Sequence, residues 1–162
     1  MTEHNQNHLP LKHQSPWLPT DDQWLTFLQM VRHEPLRNQA MIFLAYEAAL
    51  RSNELLALRV SDIDLAQRAV SIRAETTKTR QARVVIYPES IHDIIAAYVT
   101  WRYQAGDEHS PLFPSDSSLN PGQPILHLTW SKIVKELALR VGVPQFSTHT
   151  FRRKRLHELF SA

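Results

Sequence analysis

Three places in the 162-residue chain carry side chains that could hold an anion. Arg51 stands in AALRSNELLALRV, Lys78 in ETTKTRQA, and His149 and Arg152 in HTFRRKRL. An arginine offers planar, permanently charged N–H pairs, a lysine a mobile point charge, and a histidine a ring that titrates near neutrality. These are the groups that bind a phosphate and move protons around it. His149 and Arg152 lie three apart, so on a helix they share one face and can converge on one ligand. Each also has a plainer reading. Arg51 can be a cation at a helix C-terminus, which the macrodipole favours, and Lys78 an ordinary hairpin lysine. The basic residues are clumped in a chain of net charge +2, with Lys78, Arg80 and Arg83 together and Arg152 to Arg155 in a row. The clusters read either as a phosphate-facing surface or as two solvated faces.

The elements that must position these residues follow from periodicity. Residues 1–18 are polar and aperiodic and read as a flexible lead-in or interdomain linker, with one domain over 19–162. Thr20 and Gln23 form a capping box. The helix behind it, roughly Asp21 to His33, carries Trp24, Phe27, Leu28 and Val31 at helical spacing. Pro35 suits the start of a second helix that runs to about Arg51, apolar on most sides and therefore central. Ser52 is placed to cap a short third helix. AVSIRA and RVVIYP alternate and are β-branched, so they read as strands flanking the Lys78 loop, with a short edge strand within Val60 to Leu65.

Helical spacing returns from Glu89 to about Gln104, with Ile91, Ile94, Ile95, Tyr98 and Trp101 on one face. Residues 105–127 hold Pro, Ser and Gly and read as a long loop. Thr129 to about Val141 is a helix stopped by Gly142. Ser147 or Thr148 could cap a last helix with Leu156, Leu159 and Phe160 on its apolar face. The fold class is α+β, mostly helical with a small antiparallel sheet.

Composition excludes several classes. Cysteine is absent, so there are no disulfides or thiolate metal sites. The nine histidines have no metal-ligand spacing. The first residues lack a secretory h-region, and no apolar run has the roughly 20 residues a membrane helix needs. The reading is of a cytoplasmic protein with no metal, no cofactor and no membrane partner.

Taken together, AALRSNELLALRVSDID, TKTRQARVVIYP and HTFRRKRL resemble the catalytic domain of the tyrosine recombinases, or phage integrase family, from about Pro16 onward. That family has T-G-L-R-x-x-E-L-x-x-L, matched by Arg51, Glu54 and Leu58. It has a lysine on a turn between strands, matched by Lys78, and H-x-x-R, matched by His149 and Arg152. The resemblance implies metal-independent breaking and rejoining of double-stranded DNA through a phosphotyrosine. Arg51 and Arg152 would clamp the non-bridging oxygens. Lys78 would donate a proton to the leaving 5′ oxygen, and His149 would assist the attacking tyrosine. Arg80, Arg153 and Lys154 would be DNA-backbone contacts that add affinity and salt dependence.

Three departures stand against the family pattern. Ala49 replaces a usual glycine. Arg153-Lys154 replaces a usual His-Thr. The family's nucleophilic tyrosine follows a later G-H or G-W segment, whereas the tyrosines here are Tyr46, Tyr87, Tyr98 and Tyr103, all before His149 and all of structural character. The expectation is a C-terminally incomplete, truncated piece of a site-specific recombinase, inactive alone. The alternative is a non-catalytic DNA-binding remnant or regulator, and a third is a helical interaction domain. The parent family acts as a tetramer on DNA. The piece itself is expected as a monomer or weak self-associate, with the last helix packing Leu156, Leu159 and Phe160 partly on the core and leaving apolar surface open.

Overall fold

The structure, a computed structural model, describes residues 16–161. The expected lead-in lies outside them up to residue 15. Trp17 belongs to the core, its ring edge-on to Phe146 with centroids 5.3 Å apart.

Six helices and a three-stranded sheet follow in order: α1 (Asp21–Val31), α2 (Leu36–Glu47), α3 (Ser52–Leu56), β1 (Ile63–Asp64), β2 (Ala69–Ile72), β3 (Arg83–Ile86), α4 (His92–Ala105), α5 (His127–Arg140) and α6 (Thr150–Ser161). The capping box forms as its residues dictate: Thr20 Oγ1 accepts from Gln23 N–H, and the Gln23 side chain accepts from Thr20 N–H. α2 is central, with eight of its residues buried from Asn38 to Tyr46. The sheet is antiparallel in the order β1-β2-β3, registering Ile63 with Val70 and Ile72 with Arg83. Val70 and Ile72 turn inward, and Val84 and Ile86 face outward.

Several expectations shift. α2 ends at Glu47, four residues before Arg51, because the chain makes a Schellman turn there. Leu50 N–H bonds back to Ala45 C=O at 3.2 Å and Ala49 N–H to Tyr46 C=O at 3.1 Å. Ala49 takes φ 49°, the left-handed conformation that glycine adopts without penalty. Arg51 therefore sits at the N-cap of α3, and the helix C-terminus reading of its charge does not apply. Ser52 is the first residue inside α3; its Oγ accepts from Trp130 Nε1 at 3.3 Å and ties α3 to α5. On α4 the buried face holds Tyr98, Val99 and Arg102, while Trp101 is exposed. The Arg102 guanidinium explains the swap: it reaches inward to the Pro111 carbonyl at 3.0 Å, helping Tyr98, bonded to Leu112 C=O at 2.7 Å, to fasten the long loop.

On α6 the expected open apolar surface is present, but the packing expected of its apolar face is not. Leu159 and Phe160 are exposed, at 54% and 84%, and Leu156 is only half-buried. The helix is held instead by Phe151 and Lys154. Phe151 closes an aromatic cluster with Trp24, Phe27, Phe146 and Trp130, its ring 5.9 Å from Trp130 and 5.7 Å from Phe27. Such a fully buried ring is worth several kcal/mol, about 3–5 on truncation to alanine. With Phe151 fixed inward, its neighbour Arg152 is turned toward the ends of α2 and α3.

Candidate nucleic-acid interface

A cleft of about 480 Å³ opens where four segments meet: the start of α3, the β2–β3 hairpin, the start of α5 and the start of α6. Arg51, Lys78, His149 and Arg152 all line it. Local chemistry places each one. Arg51 is extended at the N-cap of α3, and its N–H donates to Glu54 Oε1 at 2.8 Å. Lys78 is at the tip of a turn closed by Arg80 N–H to Thr77 C=O at 3.1 Å, and its side chain is exposed. His149 precedes α6; its carbonyl accepts from Arg153 N–H at 3.2 Å, and its own N–H donates to Ser147 Oγ at 3.3 Å. His149 thus stands at the helix entrance where Ser147 or Thr148 was expected, and Ser147 supports it from outside. Arg152, in the first turn, donates to the Ala49 carbonyl, which the left-handed turn aims at it.

The electrostatics favour an anion. Burial, and then the charge of Arg51, pull the Arg152 guanidinium below its usual range. Two arginines face one cleft together with Lys78 and with Arg153 on its rim. Glu54 is the buried carboxylate beneath them. Burial would raise its pKa, but hydrogen bonds from the Arg83 side chain and the Arg51 N–H outweigh that and hold it at about 2. It therefore stays charged below the cleft, its Oε2 3.6 Å from Arg51 Nη1, and the Arg51 and Arg152 N–H groups not engaged by Glu54 and the Ala49 carbonyl are those that could meet a planar or tetrahedral oxyanion.

The remaining sequence candidates fall elsewhere. Arg80 is exposed at the turn, with φ 52°, outside the cleft lining. Lys154 is buried, its ammonium 2.9 Å from Glu158 Oε1 and 5.3 Å above the Trp24 ring. Arg155 turns to Glu47 and Glu158, at 3.8 and 3.6 Å. The basic run 152–155 therefore divides into two residues at the cleft and two turned inward, Lys154 over Trp24 of α1 and Arg155 to Glu47 of α2. Asn53, His127, Ser131 and Thr148 also line the cleft and were not among the site residues expected from the sequence, where Thr148 figured only as a possible helix cap. Their one legible signal was the spacing of His127 and Ser131, four apart and hence on one face of α5, which starts two residues earlier than its apolar pattern suggested.

No tyrosine lines this cleft among the described residues. Tyr46 hydrogen-bonds to Glu158, and burial followed by that bond pushes its phenol well above the usual range. Tyr87 contacts His92 Nδ1 at 3.1 Å. Burial pushes Tyr98 up to about 12. Tyr103 is exposed on α4.

Known proteins share this fold and parts of this sequence. Tyrosine recombinase XerC of Xanthomonas axonopodis pv. citri (strain 306) is 30% identical over 122 residues, which cover 72% of this chain and 37% of that protein. Transposase A of transposon Tn554 from Staphylococcus aureus is 25% identical over 130 residues, covering 76% of this chain and 36% of that protein. The chain thus spans little more than a third of these curated relatives. Among solved structures, XerA recombinase superposes with a TM-score of 0.76 at 18% identity, covering 90% of this chain and 51% of that one. The Tn1549 transposon integrase, solved with a circular intermediate DNA, gives 0.73 at 16%, covering 91% and 54%. The model of the phage integrase family matches residues 19–162, and the chain belongs to that family, the tyrosine recombinases.

Proposed function

We propose that the chain binds duplex DNA through its backbone and supplies the phosphate-holding part of a site that breaks and rejoins DNA strands in site-specific recombination or integration. The observation that carries this is the convergence of Arg51, Lys78, His149 and Arg152 on one cleft from segments up to a hundred residues apart. The circular intermediate DNA in the Tn1549 integrase structure and the difH substrate in the XerH recombinase structure, both of this fold, support duplex DNA as the partner. Arg51 and Arg152 would meet the extra charge on the non-bridging oxygens of the transition state. Lys78, on its exposed turn, would protonate the leaving 5′ oxygen, and His149 would hydrogen-bond beside the nucleophile. Arg153 on the rim and Arg80 on the turn would contact flanking phosphates. Lys154 is already committed to Glu158, so backbone contact on α6 passes to Arg153.

A covalent step in this cleft needs a tyrosine from outside residues 16–161. That no tyrosine lines the cleft among the described residues favours a second reading, a DNA-binding regulator that occupies a recombination site. It would work on the nucleoid in the bacterial cytoplasm, as a monomer or a weak self-associate through exposed Leu159 and Phe160.

The test is fluorescence anisotropy with a mixed-sequence duplex across a salt series. Binding should weaken steeply with salt, and Arg51→Ala or Arg152→Ala should cost about tenfold or more. Affinity independent of salt would sink the phosphate reading. A covalent adduct with a nicked suicide duplex would sink the second reading.

A further inference from the structure

Lys78 carries its charge on an exposed turn, yet the chemistry proposed for it needs that charge held at a fixed place beside Arg51. The hairpin offers little apolar anchorage of its own, since residues 74–82 read AETTKTRQA and only Thr77 among them is buried. Both legs are instead pinned by arginines to one short helix. On the outgoing leg Arg73 reaches the Ala57 carbonyl at the end of α3 at 2.5 Å and Asp62 at 3.2 Å. On the returning leg Arg83 makes a two-pronged pair with Glu54 of α3, at 2.6 and 2.9 Å. The Glu54 side chain is fully buried, and its Oε1 also accepts the Arg51 N–H at 2.8 Å. One carboxylate therefore ties the hairpin that carries Lys78 to the residue that begins α3.

We propose that Arg83 is a positioning residue: through Glu54 it sets the Lys78 hairpin against Arg51, so that lysine and arginine address the same DNA phosphate. Arg83 does not contact the phosphate itself, because both arms of its guanidinium are spent on Glu54. This rests on the phosphate reading above and extends it to a residue outside the cleft's own lining.

The pair is sensitive to geometry. A lysine at position 83 keeps the charge but has no fork with which to grip both carboxylate oxygens. Arg83→Lys thus leaves net charge unchanged while freeing the hairpin, and any loss of salt dependence must come from another cation disengaging.

The experiment measures binding of a mixed-sequence DNA duplex by the whole chain over a salt series, for wild type, Arg83→Lys, Lys78→Ala and the double variant. Arg83→Lys should weaken binding about tenfold and lower the slope of log affinity against log salt by about one phosphate contact. In the Lys78→Ala background the same substitution should change affinity by less than about twofold, because the two act through one contact. Glu54→Gln, which keeps the volume and removes the charge, should reproduce Arg83→Lys and serves if that variant folds poorly. Wild-type affinity and slope in Arg83→Lys, or a full additional loss on top of Lys78→Ala, would overturn the proposal while leaving the phosphate reading intact. Wild-type binding with no salt slope would overturn both. Loss of the fold in Arg83→Lys and Glu54→Gln alike would make the pair a structural brace and end the proposal.

Discussion

Ala49 shows how one residue can occupy a position built for another. Its φ of 49° lies in the left-handed region, where a Cβ costs roughly 1 kcal/mol or more relative to glycine. At the corresponding turn after α5, Gly142 takes φ 74° and the same Schellman bonds form, Val143 N–H to Ala138 C=O at 2.9 Å. The turn after α2 keeps its shape with alanine because Leu50 is buried on one side and Arg152 holds the Ala49 carbonyl on the other. Ala49→Gly should therefore raise stability by about 0.5–1 kcal/mol in urea unfolding, the relief of strain being partly offset by a more flexible unfolded chain. A loss of stability would mean that the left-handed turn is not the strained feature. DNA affinity should change little, since the backbone that aims the carbonyl is already in place.

Among the elements, α6 is the one whose attachment the residue pattern misrepresents. Its polar links to α2 are Arg155 with Glu47 and the Tyr46 hydroxyl with Glu158, and Glu158 is in turn held within α6 by Lys154 and Arg155. Lys154 works as an amphipathic strut, its stem and ammonium covering the Trp24 ring. Lys154→Met keeps the stem and should cost about 1 kcal/mol, whereas Glu158→Gln strands two cations and should cost about 1–2 kcal/mol. The two losses should be less than additive in a double-mutant cycle followed by urea unfolding. Lys154→Met should leave DNA affinity within about twofold, while Arg153→Ala should lower it and reduce the salt slope. A Lys154→Met variant that loses affinity as Arg153→Ala does would restore Lys154 to the DNA-contacting set.

At the scale of the whole molecule, the buried carboxylate under the cleft couples folding to pH. Glu54 has a folded-state pKa of about 2 against an ordinary 4.5. Its contribution is full above pH 4.5 and is lost as pH falls from there toward 2, on the order of 3 kcal/mol in all. Glu158, also lowered once its bonds to Tyr46 and Lys154 outweigh burial, adds in the same direction. Glu47 opposes them, because burial raises it. The urea midpoint should therefore fall as pH drops below about 4.5, and Glu54→Gln should flatten that acid limb. An unchanged acid limb in Glu54→Gln would show that the destabilisation arises elsewhere.

What the sequence by itself determined is whatever depends on short-range regularities. The capping box at Thr20, the two alternating strands, the Gly142 stop and the order of the basic motifs were legible, because each is set by neighbours within a few residues. So was the set of four side chains that the cleft brings together, since their types and context sufficed even though their meeting did not. What only the tertiary structure decided is which of several like residues faces what. Of four consecutive basic residues, the buried Phe151 turns Arg152 to the cleft, while Glu158 on α6 holds Lys154 and Glu47 on α2 holds Arg155 inward. Of the three basic residues from Lys78 to Arg83, a carboxylate buried on α3 captures Arg83, leaves Lys78 at the cleft and leaves Arg80 in solvent. A charge finds its partner through contacts tens of residues away, and periodicity carries no record of them.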